Sequence, residues 1–225
     1  MKPLFLSEHS LPAQIWNSAA QLDNIPVINT HSLVPPGARA VVVAPHPGDE
    51  VVTCGGLLQL LSSLGHPLQL LSITDGSASH PGSRQWSEKR LSVFRPQESV
   101  EALRRLGLPM HSLKWVRGGF TDNALLDCEA DITHFIARYL RPGDVVFSTW
   151  RNDSNDDHEA VGRASAQAAA QVGATFHDVP VWAWHWPERE QNLIPWERAR
   201  KLRLDTWTVA RKSHATHAYA SQLKG

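Results

Sequence analysis

Two loops of the chain combine histidine with acidic residues, and each follows an apolar segment typical of a buried strand. The first loop is Pro45-His46-Pro47-Gly48-Asp49-Glu50 after Ala40-Val41-Val42-Val43-Ala44, and the second runs from Thr149 to His158. In an open α/β sheet, the loops at the carboxyl ends of parallel strands meet at one edge. We therefore expect His46, Asp49 and His158 to converge on one metal ion.

The residue types of this set indicate what chemistry the metal would support. Two imidazoles and one carboxylate leave a coordination position open, which is typical of a catalytic rather than a structural zinc site. Zinc lowers the pKa of water toward about 7 and polarises carbonyl oxygens, so the set favours hydrolysis. The same ligands also suit Fe²⁺ or Co²⁺. Either loop alone is more often a turn or a helix-capping segment, and it is their joint occurrence that favours a metal site.

Composition narrows the class of protein. The 225 residues carry 22 basic and 22 acidic side chains and no net charge, unlike a nucleic-acid binder. Two cysteines are too few for a disulfide framework, and the start of the chain turns polar at Ser7 and Glu8 before a signal sequence could form. No apolar run approaches the roughly 20 residues that span a membrane. We expect a cytoplasmic protein without a membrane span that acts on a small molecule.

The elements that must position the two loops form a regular alternation. Residues 1–38 are predicted to be an N-terminal lead-in ending at Val34-Pro35-Pro36-Gly37, and residues 39–225 a single α/β domain. Strands are predicted at 41–44, 68–74, 113–116, 144–149 and 179–186. Helices are predicted at 50–64, 84–106 with a kink or split at Pro96, 128–140, and 158–172 with Asp156 or Asp157 as the cap. This alternation predicts a mainly parallel sheet with helices on both faces.

The last predicted strand carries tryptophans at every second residue. Trp182, Trp184 and Trp186 alternate with Ala183 and His185, so the indoles would line one face. Such a face can stack on a sugar, although packing or a contact in a homo-oligomer is the more common role. His185 would lie on the opposite face as a candidate acid or substrate contact.

The first loop resembles the motif of the zinc-dependent N-acetylglucosaminyl deacetylases known as the PIG-L or LmbE-like family. The family pattern is Ala/Pro-His-Pro-Asp-Asp-Glu and then a helix near a Gly-Gly pair, here Pro45–Glu50 and Cys54-Gly55-Gly56. The second loop is similar to the family's His-x-Asp-His element, with Asp157 and His158 at its last two positions. Weaker similarities, within a resemblance that spans roughly residues 39–222, are Thr74-Asp75-Gly76, Arg95, Glu98, Asp122, Lys212 and Ser221-Gln222.

The resemblance implies a Rossmann-like α/β fold and hydrolysis of an N-acetyl group on an amino sugar or glycoconjugate, with release of acetate. His46, Asp49 and His158 would be the zinc ligands, which agrees with the chemistry expected from the residues themselves.

The resemblance also implies that Arg95 and Asp122 contact the sugar or a group attached to it. An ion pair between Arg95 and Glu98 is about as good an explanation for Arg95. A role in a turn beside Asn123 is similarly plausible for Asp122.

Two positions depart from the family pattern. The aspartate that serves as general base is replaced by Gly48, and the histidine that stabilises the oxyanion by Asn155, whose amide can still donate a hydrogen bond. Asp157, Asp156 and Glu50 are candidates to replace the base, although Glu50 and Asp157 more often orient ligating histidines. An altered or slow hydrolase is therefore predicted.

Two alternatives belong to other functional classes. A non-catalytic homologue that binds metal and sugar is supported by Gly48 and Asn155. A nucleotide-binding α/β protein is disfavoured because no Gly-x-Gly-x-x-Gly or Walker loop follows the first strand.

Overall fold

The computed structural model describes residues 20–185 and 193–223, and its centre is a parallel sheet. The strands are β1 (Ala40–Ala44), β2 (Leu68–Thr74), β3 (Lys114–Phe120), β4 (Val145–Thr149) and β5 (Thr175–Val179). They lie in the order β3-β2-β1-β4-β5, and every neighbouring pair is parallel. The predicted α/β fold with a parallel sheet is confirmed. The chain changes direction across the sheet between β1 and β4, so the loops after these two strands border the crevice where such sheets bind ligands.

Helices follow or precede each strand along the chain. Their bounds are α1 (Ala20–Asn24), α2 (Thr30–Leu33), α3 (Asp49–Ser63), α4 (Glu88–Arg105), α5 (Glu129–Tyr139), α6 (Asp156–Val172), α7 (Thr206–Thr216) and α8 (Ala220–Leu223). In the described part of the chain, none of them has both the length and the apolar character that crossing a membrane requires.

Both faces of the sheet are covered by helices. Val42 of β1 points into one core with residues of α3, α4 and α7, and its neighbours Val41 and Val43 point into a second core with α5 and α6. Strands buried on both faces read as continuous apolar runs, as β1 does. Val34, from the predicted N-terminal lead-in, is also buried in the first core.

Two of the predicted elements differ in length or continuity. Strand β3 runs to Phe120, four residues beyond the predicted end. Helix α4 is continuous through Pro96, so of the two predicted alternatives, a kink or a split, the split is wrong. A proline inside a helix costs about 3 kcal/mol. Helix α4 tolerates this cost because Leu91 and Leu103, on either side of the proline, are both buried.

The predicted strand at 179–186 is wrong. Strand β5 ends at Val179, Pro180 follows without a backbone N–H, and Trp182–His185 form a 3₁₀ turn. Residues three apart lie on one side of such a turn, and the rings of Trp182 and His185 are in contact with centroids 5.6 Å apart. The tryptophans therefore do not alternate with His185 across a sheet. Trp186 lies outside the described residues.

Candidate metal centre

The three predicted metal ligands come from the loops after the neighbouring strands β1 and β4. His46 and Asp49 flank the start of α3, where Gly48 has a φ of 113° and turns the chain into the helix. His158 lies in the first turn of α6. That helix is capped by Asn155, whose side-chain oxygen accepts from the backbone N–H of His158 at 3.0 Å. The prediction that Asp156 or Asp157 would be the cap is wrong, because the amide of Asn155 starts the helix earlier.

The ligand atoms converge in the protein interior. Nδ1 of His46 and Nε2 of His158 each lie 3.4 Å from Oδ2 of Asp49, and all three residues are buried. His46 Nδ1, His158 Nε2 and Asp49 Oδ1 have no hydrogen-bond partner among the residues that the structure describes. Buried polar atoms without partners are rare and call for an explanation such as an ion. Two imidazole nitrogens and a carboxylate facing one point fit zinc or a similar divalent cation.

Asp153 determines which nitrogen of His158 faces the ligand set. Its carboxylate lies 2.9 Å from His158 Nδ1 and also accepts the backbone N–H groups of Val181, Trp182 and Ala183. Because a carboxylate with these donors acts as an acceptor, the proton of a neutral His158 is on Nδ1. The lone pair of Nε2 is then directed at Asp49 and is available for a metal.

Asp157 and Asp122 have the same effect on His46. Nε2 of His46 lies 2.9 Å from Asp157 Oδ2 and 3.0 Å from Asp122 Oδ1. Asp157 also accepts the backbone N–H groups of Asn123 and Leu125. Nε2 therefore carries a proton, and the lone pair of Nδ1 is left for a metal. Carboxylates that hold ligating histidines in this way are usual around metal sites.

The charges of these groups stabilise one another without a metal. Burial by itself would lower the pKa of His46, but the neighbouring carboxylates of Asp122, Asp157 and Asp49 outweigh burial and raise that pKa well above its usual value. The pKa of Asp49 is lowered, since the charges of His158 and His46 outweigh the effect of its burial. The site therefore keeps an ionised carboxylate between two imidazoles, and a cation bound there would replace protons.

The carboxylate of Glu50 links the first loop to Tyr219 near the end of the chain. Oε2 accepts the N–H of Gly48 at 2.9 Å, and Oε1 accepts the hydroxyl of Tyr219 at 2.6 Å. Burial raises the pKa of Glu50. Both oxygens of Glu50 are thus engaged within the protein.

Arg95 joins the loops after β1 and β2. Its side chain is 3% exposed and donates to the carbonyl oxygens of Pro47 and Gly76, each at 2.7 Å. The considered ion pair with Glu98 is wrong, since Glu98 accepts instead from the N–H and hydroxyl of Ser221. Gly76 is required under the guanidinium, because a Cβ at residue 76 would collide with it.

The remaining predicted site residues lie around the ligand set. Asp122 is buried against His46, and its Oδ2 accepts the N–H of Ala78 at 2.7 Å. Its partners therefore extend beyond the turn beside Asn123. The cap of α6 uses only the side-chain oxygen of Asn155 and not its amide nitrogen. His185 is not among the converging ligands and lies on the 3₁₀ turn after β5, where burial lowers its pKa.

Two residues of the site were missed from the sequence. Asp153 lies in the second loop, five residues before His158, and that proximity was the signal that could have found it. Tyr219 is 169 residues from Glu50 along the chain, and no local pattern connects them.

Comparisons with known proteins show which proteins this chain is similar to. The curated Bacillus cereus protein described as probable N-acetyl-alpha-D-glucosaminyl L-malate deacetylase 2 is 27% identical over 140 residues, which are 60% of this chain and 62% of that protein. This chain therefore spans less than two thirds of the length of that relative.

Solved structures show the same fold. N,N'-diacetylchitobiose deacetylase from Pyrococcus horikoshii, complexed with its inhibitor MPG, superimposes with a TM-score of 0.59 at 19% identity, covering 94% of this chain and 80% of that chain. The zinc-inhibited form of teicoplanin deacetylase Orf2 has a TM-score of 0.57 at 17% identity, covering 82% of this chain and 85% of that chain. The sequence pattern of the family PIG-L, described as GlcNAc-PI de-N-acetylase, matches residues 41–169. Because that match covers more than half of the chain, this protein belongs to the PIG-L family.

Proposed function

We propose that this chain is a zinc-dependent N-deacetylase that hydrolyses the N-acetyl group of an amino sugar or glycoconjugate and releases acetate. The observation that carries the proposal is the convergence of His46 Nδ1, His158 Nε2 and the carboxylate of Asp49 in a buried site, where both ring nitrogens and Asp49 Oδ1 lack hydrogen-bond partners among the described residues. Membership of the PIG-L family supports the reaction, and the names of the Bacillus and Pyrococcus relatives support an acetylated amino sugar as the substrate class.

His46, Asp49 and His158 would hold the metal. When bound, zinc supplies a Lewis acid for the amide carbonyl and lowers the pKa of water. Asp157 and Asp122 keep the Nε2 proton of His46 in place, and this leaves Nδ1 as the ligand atom. The buried surroundings exclude bulk water and so strengthen each of these interactions.

Asn155 is proposed to donate to the developing oxyanion through its amide nitrogen. Its Oδ1 already accepts the N–H of His158, which orients the side chain, and the amide nitrogen is the group that would donate. Removal of one such donor typically costs about 10² to 10³ in rate.

The base absent at Gly48 has no direct replacement in Glu50 or Asp157. Both oxygens of each carboxylate are engaged, in Glu50 with Gly48 and Tyr219 and in Asp157 with His46 and two backbone N–H groups. We assign both residues to positioning. Because a well-placed general base contributes about 10² to 10⁴ in rate, we propose a correspondingly slower hydrolase.

The test is acetate release from a panel of N-acetylated amino sugars by zinc-loaded protein, with chelator-stripped protein as the control. Release that depends on zinc supports the proposal. His46→Ala and His158→Ala should bind less zinc at equal folding, and unchanged zinc content in both variants would remove the metal site. Stoichiometric zinc with sugar binding but no acetate release would instead favour the non-catalytic homologue.

The location of the protein is a separate proposal. Cys54 and Cys128 are free thiols, which is usual in a reducing compartment and supports a cytoplasmic location. Measurement of their oxidation state in protein isolated from its source under alkylating conditions tests this.

A further inference from the structure

We propose that Asp153 is a positioning residue that couples the metal ligand His158 to the turn at Val181–Ala183, so that metal binding and ordering of this turn favour each other. The inference rests on the proposed function, because it assigns a metal to His158. It concerns a residue outside the ligand set and a turn that carries the aromatic residues Trp182 and His185.

The carboxylate of Asp153 is fully buried, and its two oxygens accept hydrogen bonds both from His158 and from the turn at Val181–Ala183. Oδ2 accepts from His158 Nδ1 at 2.9 Å and from the N–H of Trp182 at 2.9 Å. Oδ1 accepts the N–H groups of Val181 at 3.0 Å and Ala183 at 3.1 Å. An ionised carboxylate buried at 0% exposure requires compensating donors, and these four groups supply them.

The two elements therefore depend on one carboxylate. If the turn opens, Asp153 loses three of its donors and is free to rotate, which releases the imidazole of His158. If a cation binds Nε2 of His158, the imidazole becomes a stronger donor from Nδ1 and holds Asp153 in the orientation that the turn requires. By linkage, each event must favour the other by the same factor.

The turn has side chains that a substrate could use. Trp182 Nε1 and His185 Nδ1 are both buried and lack hydrogen-bond partners within the described ranges. Their rings are in contact, with centroids 5.6 Å apart. Asp153 thereby orders two unpartnered ring nitrogens in the same step that orients His158.

Asp153→Asn is the variant that separates coupling from general stability. The amide is the same size, but its nitrogen cannot accept a hydrogen bond, so either His158 or the turn loses its acceptor. Asp144→Asn is the matched control. Asp144 is also buried and holds Arg39 and the N–H of Arg141, but it precedes β4 and so lies at the other end of the strand from the second loop.

Two measurements are made on the full chain. Zinc affinity is measured by competition with a chromophoric chelator, and amide hydrogen exchange at 181–183 is measured with and without zinc. We expect Asp153→Asn to weaken zinc binding about 10- to 100-fold, the usual effect of losing a carboxylate partner of a ligating histidine. Asp144→Asn should lower the melting temperature and leave zinc affinity within about twofold of the wild-type value.

The exchange experiment on the unaltered chain tests the coupling even if Asp153→Asn fails to fold. Zinc should slow exchange at Val181, Trp182 and Ala183 about 10-fold or more. Unchanged exchange at these amides in zinc-saturated protein would overturn the coupling, as would wild-type zinc affinity in folded Asp153→Asn. A wild-type chain that binds no zinc would overturn the proposed function as well, so the two failures are distinguishable.

Discussion

Gly162 is the position at which an added methyl group should most directly disturb the second loop. It lies in α6 one turn after His158, where the helix crosses the end of β4. A Cβ at residue 162 would lie 2.5 Å from the backbone oxygen of Thr149 and 3.1 Å from the backbone N of Arg151. Backbone atoms cannot move aside as a flexible side chain can, so Gly162→Ala must displace the start of α6.

The expected magnitude follows from two opposing terms. Alanine gains about 1 kcal/mol over glycine in a helix interior. Overpacking typically costs about 1 to 3 kcal/mol, and contact with a backbone carbonyl places this site at the upper end. The net loss of unfolding free energy is therefore about 2 kcal/mol, which corresponds to a melting temperature about 4 to 8 °C lower for a chain of this length.

Gly55→Ala is the control for the helix-propensity term. Gly55 is also in a helix, α3, but a Cβ there meets only side chains, with Lys212 Cγ at 3.3 Å and Leu106 Cδ2 at 3.5 Å. This variant should melt within about 2 °C of the wild type or higher, since the gain of about 1 kcal/mol offsets the small adjustment of Lys212.

Calorimetry of both variants and zinc titration of each provide the test. Gly162→Ala should also bind zinc more weakly, because the Thr149 hydroxyl that donates to the His158 carbonyl at 2.8 Å moves with the displaced contact. A Gly162→Ala protein that melts at or above the wild-type temperature would refute this reasoning. Equal losses in the two variants would mean that close approach to β4 is not the cause.

Three other changes have specific expected outcomes. Gly48→Ala should lower the unfolding free energy by about 1 to 3 kcal/mol in denaturant titrations, because a φ of 113° is strained for any residue with a side chain, and no loss would contradict the loop geometry. Tyr219→Phe should cost about 1 to 3 kcal/mol, since it removes a buried donor from Glu50, and a thermal melt equal to that of the wild type would show that this hydrogen bond contributes little. A thiol reagent should label one cysteine in the folded chain and two after unfolding, because burial raises the pKa of Cys54 to about 11 whereas Cys128 is half-buried; labelling of both in the native state would contradict the packing of Cys54.

Local sequence patterns predict much of the fold. The apolar run of β1 and the predicted strand at 68–74 were found because strands buried on both faces show unbroken apolar sequence. The strand predicted at 179–186 is wrong, because β5 ends at Val179 and a 3₁₀ turn follows at Trp182–His185. Pro180 ends β5, and Asp153 binds the N–H groups that follow, so a distant carboxylate decided the conformation.

The sequence by itself determined the alternation of strands and helices, the family, and the three residues proposed as metal ligands. These depend on residue types and on spacing within two short loops. Only the tertiary structure decided that both Asp122 and Asp157 face Nε2 of His46. It also decided that Tyr219 binds Glu50 and that Arg95 binds Pro47 and Gly76. The physical reason is that a buried charge needs hydrogen-bond partners, and folding can bring these from any part of the chain. Pro47 lies 48 residues from Arg95 in the sequence, and Tyr219 lies 169 residues from Glu50.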